Sequence, residues 1–167
     1  MKLPIYIISD NHFLLEDSKK ERYRREKLFD LFEKIKTTGG TLIIGGDFFD
    51  FWLEFITGPP HYYENILDEL EKLHLQHIDI HYVLGNHDYW DFGYLKNEIG
   101  ITTHKKDLQI NHNEKILITH GDGLLKNDYG YRLLKKIIRS QFFIKVYKLF
   151  PARLTTKFAA KLSKSSS

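Results

Sequence analysis

The sequence predicts an α/β fold. Two observations carry that reading. Short apolar runs alternate with amphipathic helical patterns, and successive apolar runs end on clusters of Asp, His, Asn and Gly. Residues 4–9 (PIYIIS) form the first such run and read as a buried strand. Leu28, Phe29, Leu31, Phe32 and Ile35 recur at helical spacing, predicting a helix over residues 19–36 that ends at Gly39-Gly40. Residues 41–44 read as a second buried strand. Tyr63, Ile66, Leu67, Leu70 and Leu73 mark a second helix after Pro59-Pro60. Residues 78–84 form the third strand, and residues 91–98 a short helix closed by Gly100. Residues 101–110 and 115–119 read as a hairpin-like pair. The order implies βαβ units and a mainly parallel sheet.

The C-terminal part differs. Over residues 128–150, Leu133, Leu134, Ile137, Ile138, Phe142, Ile144, Val146, Leu149 and Phe150 interleave with Arg132, Lys135, Lys136, Arg139, Lys145 and Lys148. This is a basic amphipathic helical pattern, broken by Pro151. A weaker basic helix follows over residues 152–162, and the serine-rich end reads as frayed. Charge divides along the same line. Residues 1–123 hold 14 Lys/Arg and 21 Asp/Glu; residues 124–167 hold 11 Lys/Arg and one acid, Asp128. A basic, apolar segment suits an anionic surface or a phosphorylated substrate; alternatively, it is a solvated packing helix.

At 167 residues and 19.9 kDa the chain suits one domain with one substantial core. It has no cysteine, which excludes disulfide frameworks, cysteine zinc sites and thiol nucleophiles. No run approaches the ~18 apolar residues of a membrane span. The start, Met1-Lys2-Leu3-Pro4, lacks a signal-peptide pattern, so a cytoplasmic location is expected.

Four polar clusters follow the strands: Ser9-Asp10-Asn11-His12, Gly45-Gly46-Asp47, Gly85-Asn86-His87-Asp88 and Thr119-His120-Gly121-Asp122. In an open α/β sheet the carboxyl ends of the strands line the ligand crevice. Asp10, His12, Asp47, Asn86 and His120 therefore converge. Their carboxylate, imidazole and amide groups suit divalent ions such as Mn²⁺ or Fe²⁺. Each cluster alone is an ordinary turn or loop; their joint occurrence in order favours a metal site. His61, His74, His77, His81, His104 and His112 do not lie at strand ends and are not expected to be ligands.

The ordered motifs Asp10-x-His12, Gly46-Asp47, Gly85-Asn86-His87-Asp88 and His120-Gly121-Asp122 resemble those of the calcineurin-like metallophosphoesterases. The resemblance covers about residues 4–123. It implies a βαβ sandwich with a helical basic insertion, lacking the final strands. It also implies two divalent metal ions: Asp10 and His12 on the first, Asp47 bridging, Asn86 and His120 on the second. His87 matches a position that binds substrate phosphate or assists the leaving group, so Asp47, Asn86 and His87 stand as the catalytic set.

The flanks, Phe48-Phe49-Asp50-Phe51-Trp52 and Asn127-Asp128-Tyr129-Gly130-Tyr131-Arg132, are similar to those of the UDP-2,3-diacylglucosamine diphosphatases of lipid A biosynthesis. That likeness implies a pyrophosphate hydrolase yielding UMP and 2,3-diacylglucosamine 1-phosphate, with Mn²⁺ as cofactor. It implies a core over residues 1–123 and a cap over 124–167. The resemblance implies that this cap touches the inner face of the inner membrane, with no nucleic acid or protein partner expected. Asn86, His87, Asp122, Tyr129 and Arg132 are implied at the substrate, with Lys157, Lys161 and Lys164 reaching phosphate from the cap. Leu133, Ile137, Phe142, Phe143 and Val146 are implied to line an acyl-chain groove. The family pattern continues to a Gly-His-x-His motif that this sequence lacks, so a C-terminally truncated form is expected. The competing expectations are another phosphoesterase, with a nucleotide or phosphoprotein substrate, and an inactive membrane-surface binding module.

Overall fold

A computed structural model describes residues 1–52, 54, 61–111, 115–122, 129–140 and 142. Strands β1 (Ile5–Ile8), β2 (Thr41–Ile44), β3 (Asp79–Val83) and β4 (Thr102–His104) form one parallel sheet in that order. Helices α1 (Lys19–Thr38) and α2 (Glu64–Leu75) supply crossovers, the second after a 3₁₀ turn at His61–Tyr63. Parallel neighbours need such crossovers, because a tight turn reverses the chain.

Local chemistry sets the boundaries. Ser18 caps α1, its hydroxyl accepting from the Glu21 amide at 3.2 Å. At the other end Gly39, at φ 69°, donates its amide to the Ile35 carbonyl at 2.8 Å. Leu28, Phe32 and Ile35 of α1 and Ile66, Leu67, Leu70 and Leu73 of α2 pack on one sheet face, against Leu42, Ile44, Ile80 and Tyr82. Ile43 and Val83 point to the opposite face. There they meet Leu108 and Ile110 from a second, antiparallel sheet of β5 (Leu108–Asn111) and β6 (Lys115–Ile118). The layers are thus helices, parallel sheet and hairpin. Both faces of β2 are covered, which is why all four of its residues are buried.

The single strand expected over residues 101–110 is divided. Thr102–His104 extends the parallel sheet, and Leu108–Asn111 leaves it for the hairpin. Lys105-Lys106-Asp107 form the polar break between them. The short helix α3 (Tyr94–Asn97) is narrower than expected. Ile7 on edge strand β1 and Ile116 and Leu117 on β6 are exposed. The basic segment contains helix α4 (Tyr129–Ile138), which ends before Arg139. The expected helix over residues 152–162 lies outside the described residues. Among the described residues, no helix is long and apolar enough to cross a membrane.

Candidate metal centre

The loops after β1, β2 and β3 run side by side, tied by backbone. The Asp10 amide donates to the Gly46 carbonyl at 3.0 Å, and the His12 amide to the Asp47 carbonyl at 2.9 Å. The Trp52 amide donates to the His87 carbonyl at 2.9 Å. Asp10, His12 and Asp47 all have positive φ, at 51°, 46° and 48°. Side chains other than Gly adopt that region at a cost, and such strain collects where a fold must aim a functional group. Two glycines permit the close approach of these loops. A Cβ on Gly46 would lie 2.6 Å from His120 Nδ1, and one on Gly85 would lie 2.6 Å from the Asp47 amide nitrogen.

Asp47 is the centre. It is buried, and its Oδ1 accepts the His87 amide at 2.9 Å. Its Oδ2 faces His120 Nε2 at 3.2 Å and His12 Nε2 at 3.8 Å. Two groups of donor atoms form around it: His12, Asp47 and His87, and Asp10, Asp47 and His120, each set within 4.8 Å. Asp47 belongs to both, as a bridging carboxylate must. Asn86 joins the second group, its Oδ1 lying 3.1 Å from His120 Nε2. The expected ligands and His87 are therefore brought together. The grouping differs from the implied pairing: Asp10 falls with His120, and His87 falls with His12.

The imidazoles are oriented from behind. A carbonyl oxygen only accepts, so His87 Nδ1–H donates to the Asp50 carbonyl at 2.6 Å, and His120 Nδ1–H to the Gly45 carbonyl at 3.2 Å. Both rings then turn Nε2 forward, as metal-site histidines do. His12 Nδ1 lies 3.6 Å from the Asp50 carboxylate. Burial opposes ionisation of Asp47, but His120 and the His87 amide outweigh it and hold the carboxyl below its ordinary range. The Asp47 carboxylate pushes the His120 imidazolium up to about 9, against burial, with help from the Gly45 carbonyl. Without a metal ion, a proton on His120 balances the Asp47 charge. That donor set, two carboxylates, three imidazoles and an amide with negative charge at its centre, fits divalent cations.

Several supporting residues had no separate role in the sequence reading. Asp88 is fully buried and accepts from the Phe48 amide at 2.9 Å, the Gly85 amide at 2.6 Å and the Tyr82 hydroxyl. Burial pushes its carboxyl up to about 6, against those donors. Arg24 bonds the carbonyls of Asn11 and His12. Asp50 and Asp88 lie inside quoted motifs; Arg24 sits on a helix whose pattern signalled only amphipathicity.

The fourth polar cluster follows the hairpin strand expected over residues 115–119, not a strand of the parallel sheet. His120 follows β6 in the hairpin, so the centre lies where the two sheets meet. Asp122 lies two residues further on and pairs with Arg139 at 3.4 Å. Tyr129 opens α4 and is exposed. Arg132 lies on α4, its side chain outside the described set, while Leu133, Ile137 and Phe142 are exposed. Phe143, Val146, Lys157, Lys161 and Lys164 lie outside the described residues. None of the remaining histidines joins a donor group among the described residues.

Comparison with known proteins agrees with this geometry. Residues 3–155 match the family model for calcineurin-like phosphoesterases. Curated relatives named UDP-2,3-diacylglucosamine hydrolase include one from Porphyromonas gingivalis, 25% identical over 99% of this chain and 65% of that protein. One from Pectobacterium carotovorum is 30% identical over 75% of this chain and 52% of that protein. One from Pseudomonas fluorescens is 29% identical over 97% of this chain and 64% of that protein. The chain thus spans about half to two thirds of the length of these relatives. The chain belongs to the calcineurin-like phosphoesterase family, whose divalent-metal chemistry its shared-carboxylate donor set fits.

Proposed function

We propose that this chain carries the metal centre of a hydrolase that cleaves the pyrophosphate of UDP-2,3-diacylglucosamine, giving UMP and 2,3-diacylglucosamine 1-phosphate for lipid A biosynthesis. The observation that carries the proposal is the pair of donor groups sharing Asp47, in a chain whose relatives bear that hydrolase name. Asp10, His12, Asp47, Asn86 and His120 would hold two divalent ions, with Mn²⁺ suited to the oxygen and imidazole donors. When bound, such ions neutralise phosphate oxygens and lower the pKa of water.

The chain's own residues prepare the rest. Asp47 stays ionised because two donors hold it so. His120 would hold a cation through Nε2 once that nitrogen had lost the proton that the Asp47 carboxylate otherwise retains. His87, anchored through Nδ1, is left with Nε2 free to meet a phosphate oxygen or the leaving phosphate. Asp122, Tyr129 and Arg132 are assigned to the nucleotide and phosphate end, and Lys157, Lys161 and Lys164 to phosphate contact from the cap.

In this reading residues 1–123 are the core and residues 124–167 the cap. The exposed Leu133, Ile137 and Phe142, with Phe143 and Val146, take acyl chains, and the basic residues favour an anionic membrane surface. The protein then works in the cytoplasm, peripheral to the inner membrane.

The test is Mn²⁺-dependent UMP release from UDP-2,3-diacylglucosamine, with Asp47→Ala as control. Release falling about 10³-fold in the variant supports the proposal. Faster turnover of soluble nucleotides than of the acylated sugar nucleotide overturns the substrate assignment.

A further inference from the structure

Arg139 immediately follows α4 and reaches back into the metal centre. Its Nη2 donates to the Gly85 carbonyl at 3.2 Å and lies 3.4 Å from the Asp122 carboxylate. Its guanidinium carbon sits 3.9 Å from the centroid of the Tyr89 ring. Side-chain exposure is only 18% for Arg139 and 14% for Asp122, so solvent screens the pair less than a surface ion pair.

The three contacts fall on the two loops that present one donor pair. Gly85 precedes Asn86, and Asp122 lies two residues past His120. Asn86 Oδ1 and His120 Nε2 are themselves 3.1 Å apart. The Gly85 amide already donates to Asp88, and the His87 amide to Asp47. Arg139 supplies the bond to the Gly85 carbonyl, the peptide that leads directly into Asn86. A planar fork that bonds, pairs and stacks at once is a task that Lys performs poorly.

We propose that Arg139 is a positioning residue, which locks the Asn86 and His120 loops in register so that their side chains can hold one of the two ions. The inference rests on the metal-centre reading above. It also gives the basic segment a role at the site separate from lipid or membrane contact.

The test measures Mn²⁺ binding to the whole chain by equilibrium dialysis, with amide hydrogen exchange of the metal-free chain alongside. In Arg139→Ala, one ion is expected to bind about 10–100-fold more weakly, with the other changed less than about threefold. Exchange at residues 85–88 is expected to accelerate, with the thermal midpoint nearly unchanged. Arg139→Lys, which keeps the charge and loses the fork, is expected to restore part of the affinity.

Unchanged affinities in a folded Arg139→Ala variant overturn the proposal. So does equal weakening of both ions in Arg139→Lys, which marks a general structural role. A wild-type chain that binds two ions and releases no UMP overturns the substrate reading alone. A wild-type chain that binds none overturns both.

Discussion

The strand-end loops and helix α4 are held in opposite ways. Around Asp47, Gly85 and Asp88, backbone amides are bound by carboxylates of the same and neighbouring loops, and Asp47 and Asp88 are buried. On α4, Tyr129, Leu133 and Ile137 are exposed, and Arg139 beyond its end ties it to the core. The difference teaches where accuracy is needed. A centre that presents several donors to two ions must be fixed to within a fraction of an ångström. A surface that meets flexible chains or a fluid interface needs only a suitable chemical face.

The sharpest way to break the strand-end side is Gly85→Ala. The added methyl would lie 2.6 Å from the backbone nitrogen of Asp47, so the bridging residue would have to shift. Stability should fall by about 2–3 kcal/mol in urea denaturation. Mn²⁺ binding should weaken by more than about 100-fold in dialysis, because the bridging carboxylate moves. Retention of both would mean that the loops are not packed as tightly as Gly85 and Asp47 imply.

The next effect is a pH dependence centred on His120. Its metal-free pKa of about 9 is above the ordinary 6.5, so its proton stabilises the metal-free fold fully below pH 6.5. That contribution is lost as pH rises through about 9. Metal binding runs the other way, since a cation must displace the proton. Mn²⁺ affinity should rise about tenfold per unit over this window, with Asp47 ionised throughout. Calorimetric titration at pH 6.5, 7.5 and 8.5 measures the slope. His120→Gln should bind more weakly and show a flatter profile; an equally steep profile in that variant would place the proton elsewhere.

Asp88 sharpens the comparison within the loops themselves. In Asp88→Asn an amide NH₂ must face one of the three donors that the carboxylate now accepts. The loss should be about 1–3 kcal/mol at neutral pH. The wild type carries its own signature. A folded pKa of about 6 exceeds the ordinary 3.8, so the native state binds the proton more tightly. This group's contribution is greatest below pH 3.8 and declines as pH rises through about 6. Denaturation at pH 4.5 and pH 7 should show that decline in wild type and lose it in Asp88→Asn.

Legibility from sequence divides along the same line as the comparison. Strands β1 to β3, α1 and α2 were readable because apolar spacing is local information: Leu28, Phe32 and Ile35 mark a helix face before any partner is known. Asp10, His12, Asp47, Asn86, His87 and His120 were readable because each directly follows a strand. What sequence could not supply was pairing. Nothing local distinguishes a strand continuing through Lys105-Lys106-Asp107 from two strands in different sheets, so the single strand expected over residues 101–110 divides between them. Arg24 and Arg139 are likewise indistinguishable from solvated helix charges, because the backbone carbonyls they bind lie 12 to 54 residues away.

The smallest effect on stability, and the most informative about α4, comes from its exposed apolar residues. Leu133→Ser and Ile137→Ser remove side chains that are 61% and 49% exposed. Each should change unfolding free energy by about 0.5 kcal/mol or less, as surface substitutions do. If α4 meets acyl chains, the same variants should raise KM for UDP-2,3-diacylglucosamine several-fold, since each buried CH₂ contributes about 0.8 kcal/mol. Turnover of a soluble aryl phosphodiester should not change, because the strand-end loops are untouched. Loss of both activities together would mean that α4 packs as part of the core. Loss of neither would leave the basic face, and not the apolar one, as the useful side of the helix.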